Sequence, residues 1–153
     1  MFVFSLKLKR TGVVAAAVIM ILSVVCTALF ASAAAKPSQA AEDMSSNAHR
    51  IAFLKACGWE VSAEPVEIVE VTIPAVFDTV YEEYNKLQLK QNFDLSKLMG
   101  KRVKRYSYEV LNYENGEKDI QADLLILNNK LVGGDVMSRR IDGFIIPLLK
   151  QTS

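Results

Sequence analysis

Gly133-Gly134-Asp135 is the most motif-like stretch in this chain of 153 residues. Two glycines beside a carboxylate can line a ligand notch with bare backbone, and phosphate-cradling loops use glycines this way at a strand-to-helix turn. Here Leu131-Val132 precede the motif and Val136-Met137 follow it, so it lies inside a strand pattern and a nucleotide site is not supported. Glycines in that setting mark a β-bulge, or a point where a helix comes close to the sheet. The run Lys101-Arg102-Val103-Lys104-Arg105 ends in two cations that a groove can share with Asp135. Asp135, Gly133, Gly134, Arg105 and Lys104 are therefore the candidate binding surface.

Other reactive residue types are too scattered for catalysis. A nucleophilic cysteine needs a base within reach. His49 is the one histidine, and it stands eight residues before Cys57, about 12 Å along the axis of a shared helix. Cys57 also falls on the apolar side with Phe53 and Leu54, as a buried, inert thiol does. A single histidine and one cysteine beyond the N-terminal segment do not make a zinc site, so no metal or cofactor is expected. The carboxylate pairs Glu82-Glu83, Glu67/Glu70 and Asp119/Asp123 sit in no apolar run that would raise a pKa for acid–base work. The basic run could meet phospholipid head groups or an anionic wall polymer, but strand alternation divides it between two faces, where lysines protect a sheet edge. Tyr106, Tyr108 and Tyr113 invite stacking, yet strands are rich in tyrosine anyway.

Composition sets where these residues work. The chain is 51% hydrophobic and 23% charged, which excludes disorder. Much of the apolar surplus lies in 11–35, a stretch without a charged residue. A helix needs roughly 20 apolar residues to cross a hydrocarbon core, and Gly12 to Ala35 suffices. Lys7, Lys9 and Arg10 precede it, which keeps residues 1–10 cytoplasmic and sends the remainder outward. The uninterrupted run Gly12 to Phe30 is longer than a usual signal-peptide core and favours a single-pass anchor in the cell membrane. The alanine-rich end leaves cleavage near Ala33 or Ala35, and secretion, as the alternative. Cys26 lacks the small preceding residue that lipoprotein processing needs and reads as one more apolar residue of the span. Beyond this segment 15 of the 18 basic residues face all 17 acidic ones, so the exported part is nearly neutral and suits no nucleic acid.

Residues 36–46 are small, polar and proline-containing, as in a flexible stalk. A domain over 47–153 follows. Asn47 can cap a first helix whose apolar side is Ile51, Phe53, Leu54 and Cys57, with Gly58 ending it and Trp59 closing the end. Pro65 to Pro74 reads as one strand of about nine residues, interrupted in phase near Val69, and Pro74 fits the first turn of a second helix bearing Phe77, Val80, Tyr81, Tyr84, Leu87 and Gln88 on one stripe. Glu82 and Lys86 are spaced for an ion pair on that helix. Asn92 ends it, and Ser96 to Met99 can add one turn. The last third patterns as a meander. A type I′ turn at Asn115-Gly116 would pair Leu111 with Ile120, Ser107 with Leu124 and Arg105 with Ile126. A second turn at Asn128-Asn129 would pair Ile126 with Leu131 and Leu124 with Gly133. One face would carry Leu111, Ile120, Leu124, Ile126, Leu131 and Met137. The other would carry Tyr106, Tyr108, Val110, Leu125, Leu127, Val132 and Val136. The expectation is an α+β fold: two helices on an antiparallel β-meander of about four strands, after one N-terminal transmembrane or signal helix. Helix would cover one sheet face and partly cover the other, and the tail from Gly143 to Leu149 would pack back on the sheet.

The blocks IAFLKACGWEV at Ile51–Val61, IPAVFDTVYEEYNKLQ at Ile73–Gln88, FDLSKLMGKRVKRYSYEVLNYENG at Phe93–Gly116 and LLILNNKLVGGDVMS at Leu124–Ser138 occur in one order. With MFVFSLKLKR at the start and a closing DGF, the chain resembles the bacterial domain-of-unknown-function family numbered 4830, small exported proteins with one N-terminal hydrophobic segment. The resemblance implies no activity, cofactor or catalytic residue. Met137 stands where the family pattern often has cysteine, and Ile145-Ile146 where it often has a Met-His pair, so any chemistry carried there would be missing here. The functional expectation is a non-enzymatic, membrane-tethered extracytoplasmic binding or accessory domain engaging another envelope protein or an anionic envelope polymer. The alternative is a cell-envelope enzyme, or an enzyme inhibitor, with a groove near Asp135.

Overall fold

The computed structural model describes residues 43–149. The basic N-terminus, the 11–35 span, its cleavage sites and the stalk through residue 42 lie outside the described residues. Among the described residues no helix is long and apolar enough to cross a membrane.

The first helix, α1 (Asn47–Ala56), is capped by Ser46, whose hydroxyl accepts from the His49 N–H, and not by Asn47 as expected. Asn47 is already helical, and its side chain donates to the Ala63 carbonyl and accepts from the Tyr108 hydroxyl. At the other end Gly58 takes φ +94°, its N–H reaches the Lys55 carbonyl, and the Trp59 N–H reaches Leu54. That is the Schellman closure expected from Gly58-Trp59. The end of the expected stalk is not loose: Met44 is 1% exposed, and its N–H donates to the Asn129 carbonyl.

Strand β1 (Glu67–Thr72) leads to α2 (Thr79–Leu89). This helix begins later than Pro74 suggests, because the Asp78 carboxylate accepts from the Tyr81 N–H and caps it there. Lys86 pairs with Glu83 at 2.6 Å and not with Glu82. Asn92 adopts φ +65° just beyond the helix, and a single 3₁₀ turn follows at Leu95–Leu98. Strands β2 (Arg102–Glu109), β3 (Ile120–Leu127), β4 (Lys130–Ser138) and β5 (Ile145–Ile146) complete an antiparallel sheet of five strands in chain order. The fifth strand is the apolar tail, which adds itself to the β4 edge.

Two registers differ from expectation by one residue. Residues 114–116 form a 3₁₀ turn in place of the type I′ hairpin, and β2 pairs Ser107 with Asp123 and Arg105 with Leu125. Tertiary contacts account for the change. The Leu111 N–H donates to Glu60, the Asn112 amide bridges Gly58 and Glu60, and Tyr113 stacks between Trp59 and Phe144. The connection is drawn toward the end of α1 and is too occupied to close tightly. The Asn128-Asn129 turn does form, with both residues at positive φ (52° and 61°), and Ile126 faces Leu131. A bulge between Leu125 and Ile126 then places Leu124 opposite Gly134 instead of Gly133.

The faces are accordingly re-sorted. Tyr108, Val110, Ile120, Ala122, Leu124, Ile126, Leu131 and Val136 face α1 and share its core with Phe53, Leu54, Cys57, Trp59 and Leu148. Val103 and Leu125 lie in a smaller core with Ile73 and Leu95, against which Val71, Leu127, Val132 and the aromatic residues Phe77, Tyr81 and Tyr84 pack. Buried Arg50 has no carboxylate partner among the described residues. Its Nε donates to the Tyr108 hydroxyl and its Nη1 to the Met44 carbonyl, each at 2.8 Å, while the guanidinium lies 4.0 Å over the Tyr106 ring.

Two buried glutamines fasten α2 to the sheet. Gln88 Nε2 donates to the Gly134 carbonyl at 3.0 Å and its Oε1 accepts from the Gly134 N–H at 2.9 Å. Gln91 donates to the same carbonyl and accepts from the Leu148 N–H. Leaving one buried N–H unsatisfied costs about 1–3 kcal/mol. Gln88→Met, nearly the same size, is therefore expected to lower unfolding stability by about 2 kcal/mol in urea melts, since only the Gly134 carbonyl keeps a second donor. Wild-type stability in that variant would show that the clamp contributes nothing.

Candidate functional site

The registers place Glu67 opposite Ser107, Ser107 opposite Asp123 and Asp123 opposite Asp135. These four residues make one polar row across four adjacent strands about 4.8 Å apart. Arg105 belongs to the next row on the same face, beside Leu125 and Gly133. Lys104 pairs with Ile126, whose side chain is in the α1-side core, so it lies on the other face. Of the five sequence candidates, the structure thus puts Asp135 and Arg105 on one face, two strands apart, gives Gly133 and Gly134 structural work, and separates Lys104.

The work of the glycines is tight packing. A Cβ on Gly134 would lie 2.5 Å from the Asp123 backbone oxygen and 2.6 Å from Leu148, and one on Gly133 would press on Leu125, Gln88 and Leu95. Both expected structural causes, bulge and close helix approach, occur together here.

The carboxylates are where sequence reasoning fails. Asp123 and Asp135 are 4% and 3% exposed, which corrects the expectation that no carboxylate sits in an apolar run: Asp123 directly precedes the apolar residues 124–127. Burial pushes the Asp135 carboxyl up to about 7; the Tyr84 hydroxyl opposes this by donating to it at 2.6 Å, while the Asp123 charge adds to the rise and Arg105 opposes it. Burial likewise raises Asp123, against the pull of Ser107 and Arg105. Tyr84 is raised well above the ordinary phenol range, by burial first and then by the neighbouring Asp135 charge. The signal for Tyr84 and Gln88 is present in the sequence, since both lie on the apolar stripe of α2.

Arg105 lies between Glu67 and Asp123. Its Nη2 donates to Glu67 at 2.6 Å, but its Nε stays 3.8 Å from Asp123, beyond hydrogen-bond distance. Arg105 Nε has no hydrogen-bond partner among the described residues, while Ser107 Oγ and Asp123 Oδ1, on directly opposed residues of β2 and β3, have only each other to turn to. Arg105 and Asp123 line a half-open groove of about 400 Å³ together with Val66, Glu67, Gln121, Met137 and Arg139. The rest of the basic run is spent differently, with Arg102 paired to Glu70 at 2.9 Å. Cys57 is buried in the α1 core, away from this face, and His49 is at the surface, 3.4 Å from Asp43. Among the described residues no cluster of three metal-ligating side chains occurs.

Residues 53–136, more than half of the chain, match the family described as a domain of unknown function, DUF4830. The chain belongs to that family. No curated protein and no solved structure matches it. The DUF4830 match runs from within α1 into β4 and contains the whole polar row, together with Tyr84, Gln88 and Gly134. Arg139 and β5 fall outside it.

The raised carboxyl of Asp135 makes DUF4830 stability depend on pH. Its folded value of about 7 exceeds an unfolded value near 4, so its stabilisation is complete below about pH 4 and is lost as pH rises through 7. Linkage puts the loss on the order of 4 kcal/mol, and Asp123 acts in the same direction. Asp135→Asn should flatten the decline between pH 4 and 8 and be the more stable protein at pH 8, as read from urea melts. Parallel profiles for the two proteins would contradict this assignment.

Proposed function

We propose that this DUF4830 chain is a non-enzymatic, membrane-tethered extracytoplasmic domain that binds an envelope component in the groove over Glu67, Arg105 and Asp123. The observation that carries the reading is a single groove of about 400 Å³ whose wall holds the buried Asp123 carboxylate and an Arg105 Nε that makes no hydrogen bond. Native proteins satisfy nearly all buried polar groups, and each exception calls for an explanation such as a ligand. The tether rests on the apolar run Gly12 to Phe30 and its basic flank. Catalysis is less well supported. Asp135 titrates in the useful range, which favours the alternative of an envelope enzyme or inhibitor, but the groove is lined by Asp123 and not by Asp135.

The test uses the full chain in its native membrane with a photo-crosslinking phenylalanine at Met137, and a control at half-buried Glu117, which does not line the groove. The expected result is a membrane-retained protein with an adduct at position 137 that is missing at 117. Equal labelling at both positions would remove the groove as a binding site. Recovery of a shortened chain in the medium would remove the tether.

A further inference from the structure

The two carboxylates and two guanidiniums around the groove cancel in sum, but only one carboxylate and one guanidinium are joined by a hydrogen bond. Glu67 is answered by Arg105 at 2.6 Å. Asp123, 4% exposed, has the same guanidinium only at 3.8 Å, beyond hydrogen-bond distance, and the neutral Ser107 hydroxyl opposite it. Exposed Arg139, which lines the groove beyond Met137, has no ion-pair partner among the described residues. One carboxylate and one guanidinium therefore remain to be matched inside a single groove, with the apolar side chain of Met137 between their positions on the sheet. A simple anion placed there would meet Asp123 and Glu67, and a simple cation would meet Arg105 and Arg139. Either would gain one attraction and suffer one repulsion.

We infer that the groove binds a zwitterion, an amine and a carboxylate on one small molecule or peptide end, with the ammonium on Asp123 and the carboxylate on Arg139. The inference rests on the binding reading above and specifies its ligand. Both contacts are charge-assisted, and a guanidinium offers the carboxylate a bidentate partner. The spacing also discriminates between sources. Asp123 sits in the row of Asp135, and Arg139 stands four residues beyond Asp135, just past the end of β4, so their Cα rows are about 13 Å apart before the side chains reach toward each other. A ligand whose two charges are separated by several bonds, such as a peptide or a γ-amino acid, spans that gap better than an α-amino acid.

The experiment titrates the full chain with glycylglycine, γ-aminobutyrate and glycine, and with acetate and methylamine as single-charge controls, followed by NMR shifts or calorimetry. Glycylglycine or γ-aminobutyrate should bind at least tenfold more tightly than either control, with glycine weaker than both. Arg139→Gln, a surface change that leaves the fold intact, should abolish that advantage. Asp123→Asn should do the same if it folds. Equal binding of acetate and the zwitterions, an unaffected Arg139→Gln variant, or no binding of any zwitterion would each overturn the inference. A position-137 adduct in membranes alongside such a result would leave the binding reading standing and refute only the zwitterion, whereas loss of the adduct refutes the reading itself.

Discussion

The peptide unit of Gly134 is the constraint around which the domain is arranged. Strand β5 pairs only with Val136 and Met137, so the outer side of β4 at Gly134 has no strand to bond to. A buried backbone donor and acceptor must still be satisfied. The Gln88 amide supplies both partners, Gln91 supplies a second donor, and Gln91 in turn holds the Leu148 N–H. One helix turn before Gln88, Tyr84 is thereby brought to Asp135. A side chain at 134 would collide with the Asp123 backbone, so close contact and hydrogen bonding demand the same residue.

The bulge just before this point organises the charges. Continuing the register of the Asn128-Asn129 turn would set Asp135 opposite Ala122. The extra residue in β4 sets it opposite Asp123 instead. The β2 register makes the matching adjustment, setting Asp123 opposite Ser107. Two single-residue shifts thus collect groups from four strands into one row. Helix α2 covers the Asp135 end, while the Glu67 end stays open. One face therefore holds a dry carboxyl and an accessible groove side by side, with Asp123 shared between them.

What the sequence discloses is what local chemistry decides. Gly58-Trp59 end a helix and Asn128-Asn129 turn a hairpin through backbone conformations that their own side chains favour. The apolar tail, the helices and the antiparallel order follow from periodicity. The polar row is hidden because it depends on register, and register depends on contacts far apart in the chain. Asn115-Gly116 favours a tight hairpin, yet Tyr113 is held by Trp59 and Phe144 and the hairpin opens. Arg50 is hidden for the opposite reason: a cation on an apolar helix side looks exposed until Tyr106, Tyr108 and the Met44 carbonyl are seen to enclose it. Gly133-Gly134 are legible as a structural feature, but their consequence for Asp135 is not.

Trp59 lies near the beginning of the domain, and its indole N–H donates to the carbonyl of Leu148, 89 residues later. Synthesis delivers the chain N-terminus first. Helix α1 and the successive strands can each form with the neighbour already delivered, since the sheet runs in chain order. The indole must wait. Until Leu148 arrives, the largest ring of the α1 core lacks its acceptor and Gln91 lacks its donor. The segment around Leu148 thus closes the core last, joining helix α1 and helix α2 to the sheet through one residue's carbonyl and N–H.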